Sequence, residues 1–91
     1  MKSGDVIGKK VLGSEAQILG KISEIEFDKN TWNISDICIE LEKNIMETMG
    51  FQKPRLGSIK ANIPVTEINA ISDVVSLKKS AVELKGIAKR V

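Results

Sequence analysis

Apolar and polar residues alternate along most of the chain with a period near two, the mark of strands with one buried face. From Val6 to Asp28 two apolar-bearing segments flank a turn at Gly13–Ala16, and the second runs from Gly20 through Ile22, Ile25 and Phe27. Gly8 and Gly13 suit positive φ or close backbone approach, and Gly20 suits a strand start or a bulge. Asp28-Lys29-Asn30-Thr31 reads as a polar turn, with Asn30 suited to a left-handed conformation. The next strand is Trp32 to Leu41. Ile37, Ile39 and Leu41 share one parity, while Trp32, Ile34 and Cys38 fall on the other. Either a bulge reconciles the two halves, or the strand is two-sided and offers Trp32 and Ile34 to a second subunit.

At Glu42 the period changes. Leu41, Ile45 and Met49, with Met46 beside them, form a stripe that predicts a short helix over 42–49, closed by Gly50 and packed on the sheet. Pro54 breaks the following basic loop, and alternation resumes from Ser58 to Pro64. Val65–Ile68 reads as a turn or 3-10 piece leading into Asn69-Ala70-Ile71, and Ser72-Asp73 turns into a closing strand at Val74–Leu77. After Ser80 the pattern fits either a Ser-capped helix with a weak stripe of Leu84, Ile87, Ala88 and Val91 or a loose strand across Val82 and Leu84. These elements predict an all-β, mainly antiparallel fold: a small five- or six-stranded barrel with one helical insert, closed because an open sheet this small exposes its edges. Residues 1–5 form a frayed start, 6–79 the domain and 80–91 a basic extension, packed or partly ordered, whose removal should leave the barrel folded.

Composition narrows the chemistry. The 91 residues are 42% apolar and 29% charged, with a net charge of +2, which suits one globular domain and demands no polyanion. The basic excess sits at the end, where residues 78–91 carry five Lys and Arg against Glu83. The sequence has no His or Tyr and only one Cys, Cys38, so it lacks the usual acid–base groups, a zinc ligand set and any intrachain disulfide. Walker and dinucleotide glycine patterns are absent. Glu24, Glu26 and Asp28 share a parity; a solvated strand face explains them better than a divalent cation does. The reading is therefore no enzyme, no cofactor and no metal. With no apolar leader and no uninterrupted 18-residue apolar run, a cytoplasmic location without membrane insertion is expected.

Two segments resemble the PRC-barrel domain family. Ile7-Gly8-Lys9-Lys10-Val11-Leu12, followed by Gly20-Lys21-Ile22-Ser23-Glu24-Ile25 and Phe27-Asp28, is similar to that family's opening pair of strands. Ile63-Pro64-Val65-Thr66-Glu67-Ile68-Asn69-Ala70-Ile71-Ser72-Asp73-Val74-Val75 resembles its closing segment. Ala16 stands where the family usually has Gly in the first turn, which suggests a modified turn, and Ser72 stands where Gly is common. The Lys53–Gly57 loop looks most like that of small stand-alone archaeal members. The domain also occurs in the photosynthetic reaction centre H subunit and in the ribosome-maturation factor RimM. The resemblance implies an assembly role without catalysis, with no catalytic residues to carry over.

The resulting expectation is a protein-binding adaptor acting as a homodimer, within archaeal cell division and partnered by a membrane anchor such as SepF, which tethers FtsZ. The alternative is a ribosome- or RNA-processing-associated factor resembling the RimM domain. Nucleic acid is the weaker partner, because RNA-reading sheets display exposed aromatics and this chain has only Trp32, Phe27 and Phe51. Trp32 is the first candidate for a protein interface, since Trp is enriched in interface centres, followed by Ile34, Phe51 and Met46.

Overall fold

The longest β-hairpin of the molecule is set by the two richest alternating runs, and the rest of the sheet builds outward from it. In the computed structural model, which describes residues 2–91, β2 (Ile18–Phe27) pairs antiparallel with β3 (Ile34–Leu41). β1 (Lys10–Leu12) adds antiparallel to β2, and β4 (Lys60–Pro64) antiparallel to β3. β6 (Val75–Leu77) lies parallel to β1; β5 (Ile68–Ile71) pairs with β6 and the two-residue β7 (Lys89–Arg90) with β4, both antiparallel. The sheet thus has seven strands in the order β5-β6-β1-β2-β3-β4-β7.

The all-β class holds, but the closed barrel does not form: β5 and β7 each pair on one side only. The strand count is seven rather than five or six, and one of the six pairings is parallel. The physical reason is length. Strands of three, four and two residues at the ends of the order offer too little ladder to close against each other. Side chains from the irregular segments cover the core instead.

Bulges settle the parity conflict of the hairpin. Ile37 pairs with Ile25 while Ile34 pairs with Phe27, so Ser35 is an extra residue and Ile34 turns to the same face as Ile37 and Ile39. A second bulge at Ser23 puts Ile22 and Ile25 on one face, since their partners Ile39 and Ile37 are two apart. Of the two options open in the sequence, the bulge is realised and the two-sided strand is not. β5 repeats the device: Ile68 and Ile71 pair with Leu77 and Val75, so residues three apart in the chain share a face.

Gly20 lies inside β2, one residue after a bulge at Leu19, where β3 passes so near that a Cβ would sit 2.0 Å from the Glu40 carbonyl oxygen. The predicted helix over 42–49 is reduced to a 3-10 turn, Lys43–Ile45, and a following turn. Its end is a Schellman cap: Gly50, at φ +88°, donates its N–H to the Glu47 carbonyl, and Phe51 donates to that of Met46 at 2.8 Å. Ser3–Asp5 is a 3-10 turn rather than a frayed start, Met1 lying outside the described residues. Pro64 ends β4, and Val65–Glu67 is the expected 3-10 piece.

After Ser80 the chain follows the helical option only as a series of turns over 81–87, and no strand forms across Val82 and Leu84. Helical turns bring Ala81, Leu84 and Ala88 into the core, and the chain then becomes β7. Besides these, the core contains the inner faces of the strands together with Ile45, Met46 and Met49.

Candidate protein-binding surface

β2 and β3 outrun their neighbours, and the residues at their far end remain on the inner face with little to cover them. Ile25 and Phe27 of β2, Ile34 and Ile37 of β3, and Val65, Ile68 and Ile71 of the segment opposite line a groove of about 450 Å³. Val6 and Lys2 complete it. Apart from Lys2, every lining residue is apolar. Phe27 is 51% and Ile34 43% exposed, although they face each other across the hairpin and belong to the face that elsewhere forms the core. Single exposed apolar residues are ordinary on a protein surface; a contiguous apolar groove is not.

Just beyond the Phe27–Ile34 pair the chain turns through Asp28–Asn33. The Asp28 Oδ1 accepts the N–H groups of Asn30, at 2.8 Å, and Thr31, at 3.2 Å; its carbonyl accepts the Trp32 N–H at 2.8 Å, and its own N–H donates to the Asn33 carbonyl at 2.8 Å. The left-handed residue is Trp32, at φ 62°, and not Asn30. A left-handed conformation crowds the Cβ of an L residue and costs roughly 1–2 kcal/mol. Trp32 nevertheless holds it while 78% exposed, outside the groove its own hairpin lines.

Of the residues expected at an interface, Trp32 and Ile34 lie together at this end of the molecule. Phe51 is partly buried against the core, and Met46 is fully buried within it, which takes Met46 out of any surface: the helical stripe faces inward because so short a segment is held only by core packing. Phe27, Ile68 and Ile71 belong to the groove and escaped the sequence reading. The signal was there in part, because Phe27 and Ile34 flank the turn symmetrically and an Ile-x-x-Ile spacing in a strand implies a bulge.

The acidic row does not assemble, since Asp28 is bound into the turn and only Glu24 and Glu26 stay on the strand. Among the described residues no three His, Cys, Asp or Glu side chains gather into a metal site. Burial pushes the Cys38 thiol up from its ordinary range, and Glu24 pushes it further against an opposing effect of Lys60, so the thiol stays protonated and a poor nucleophile. Among the same residues no helix is long and apolar enough to cross a membrane. No family model and no curated protein matches the chain.

Proposed function

We propose that this chain is a non-catalytic protein-binding and assembly module of the PRC-barrel kind, acting in the cytoplasm as a homodimer, with the groove and the Trp32 turn as its recognition surface. One observation carries this reading: inner-face residues of the sheet, Phe27, Ile34 and Ile71 among them, form a continuous apolar groove beside an exposed, conformationally strained Trp. Desolvating such a surface yields about 25 cal/mol per Å² of apolar area, so a partner that covers it gains several kcal/mol. The resemblance to stand-alone archaeal members extends the proposal to cell division, with a membrane anchor of the SepF type as partner.

The test is titration calorimetry of the purified chain against such an anchor, wild type beside Ile34→Glu. Binding that the charge in the groove weakens at least tenfold supports the proposal. Undiminished binding by Ile34→Glu removes the groove from it. Affinity capture from lysate that recovers only salt-sensitive RNA would transfer the role to the exposed basic residues Lys78, Lys85, Lys89 and Arg90.

A further inference from the structure

The same end of the hairpin carries an apolar cavity and a large apolar side chain that does not fill it. Trp32 projects from the turn immediately past the Phe27–Ile34 pair, yet it is absent from the lining of the groove. Its backbone is tied down by the hydrogen bonds of the Asp28–Asn33 turn, so the indole is presented from a fixed base. Cavity and knob are therefore neighbours that do not meet within one chain.

We propose that the occupant of the groove is the Trp32 side chain of a second copy, each chain of a two-fold dimer inserting its Trp32 between Phe27, Ile34 and Ile71 of the other. This rests on the reading of the groove as a protein-binding surface and specifies its occupant in the absence of the anchor, which would compete for the same groove. A two-fold axis beside the hairpin end makes the exchange reciprocal and closed, as an isologous interface requires. Size agrees, since a groove of about 450 Å³ has room for an indole. A buried Trp covers about 150–250 Å², so two indoles with the walls they cover remove about 600–1,000 Å² from water. Phe27, Ile34 and Ile71 are among those walls, so the total falls just short of about 1,200 Å², the lower limit of a stable interface. Charge also agrees: Lys2 lines the groove and Asp28 lies at the base of the incoming turn, so the exchange brings opposite signs together. An interface of this size dissociates on dilution.

Trp32 is the only tryptophan, so its fluorescence reports this event alone. Analytical ultracentrifugation over a dilution series should show wild type passing from twice the 10.0 kDa chain mass to that mass, with Trp32 emission moving to longer wavelength at the same midpoint. Trp32→Gly should raise the dissociation constant at least about 30-fold, as loss of an interface hot spot does. At concentrations where both proteins are monomers it should melt no lower than wild type, because glycine takes the left-handed turn without strain. Leu56→Ser, altering an apolar side chain that is 90% exposed on a distant loop, should change neither midpoint. A wild-type chain that stays monomeric throughout overturns the exchange, while the anchor titration still decides the groove's role. A dimer that Trp32→Gly leaves intact, or one whose assembly does not shift the emission, overturns it as well.

Discussion

Among the described residues Ala16 and Trp32 are the two non-glycine residues at positive φ, 63° and 62°, and both close turns next to β2. At Ala16 the turn holds an alanine in the left-handed region: Gly13 donates to the Gln17 carbonyl, and Ala16 donates to that of Gly13, both at 2.9 Å, and the strain is accepted. We expect Ala16→Gly to stabilise the fold by up to about 1 kcal/mol, the relief of left-handed strain exceeding the extra chain entropy of glycine, as a rise in melting temperature would show. Gly20 sets the opposite limit. The Cβ of Gly20→Ala would meet the Glu40 carbonyl oxygen at 2.0 Å, backbone that cannot rotate aside. The hairpin must part, so a loss of about 3 kcal/mol is expected in urea unfolding, at the upper end of overpacking costs. A glycine in an alternating run was legible as special; that the reason is close approach of β3 was not, since it depends on a partner about twenty residues away in the chain. Trp32 was legible as exceptional by its type, whereas its φ follows from the hydrogen bonds of a turn that local propensity assigned to Asn30.

Among the elements, the bulges at Ser23, Ser35 and in β5 do most to shape the surface, because each flips the parity of everything beyond it. Read without them, Ile34 and Ile71 sit on the wrong face, and the groove disappears. The final helical turn shows a different balance. The N–H of Ser80 donates to the Glu83 Oε1 at 3.0 Å and the N–H of Glu83 donates to the Ser80 Oγ at 3.3 Å, a reciprocal capping box. These contacts, the Ser80 backbone bond first and then its side chain, hold the Glu83 carboxyl below the usual glutamate range. A carboxyl with a lowered folded pKa stabilises the fold above its unfolded value and loses that contribution as pH falls through the folded one. Ser80→Ala removes the side-chain half of this box and should lower the melting temperature at neutral pH, while the Ser80 N–H bond to the Glu83 carboxylate remains. The contribution of the bonded Glu83 carboxylate should itself fade in thermal melts taken progressively below about pH 4, as Glu83 protonates. The capping residue was visible in the sequence. The turns it opens end where Gly86, at φ +88°, redirects the chain towards β4.

For the molecule as a whole, the extension after residue 79 is part of the fold, against the expectation that it is dispensable. Ala81, Leu84 and Ala88 are buried, β7 pairs with β4, and the Val91 N–H donates to the Lys60 carbonyl at 3.0 Å. Loss of Leu84 alone should cost about 2–5 kcal/mol. A small domain has little stability to spare, so a chain ending at residue 79 should show no cooperative melt in circular dichroism. An intact melt would return residues 80–91 to the status of an appendage. By itself the sequence determined the all-β class, most strand and turn positions, the cap at Gly50 and the prominence of Trp32, because periodicity and turn chemistry act over a few neighbouring residues. Only the tertiary structure decided that the sheet stays open, that β6 lies parallel to β1, which side chains the bulges turn inward, and that an apolar groove adjoins Trp32. Those outcomes depend on pairing between distant segments, where one extra residue reverses a face and the length of the last strands governs whether the sheet can close.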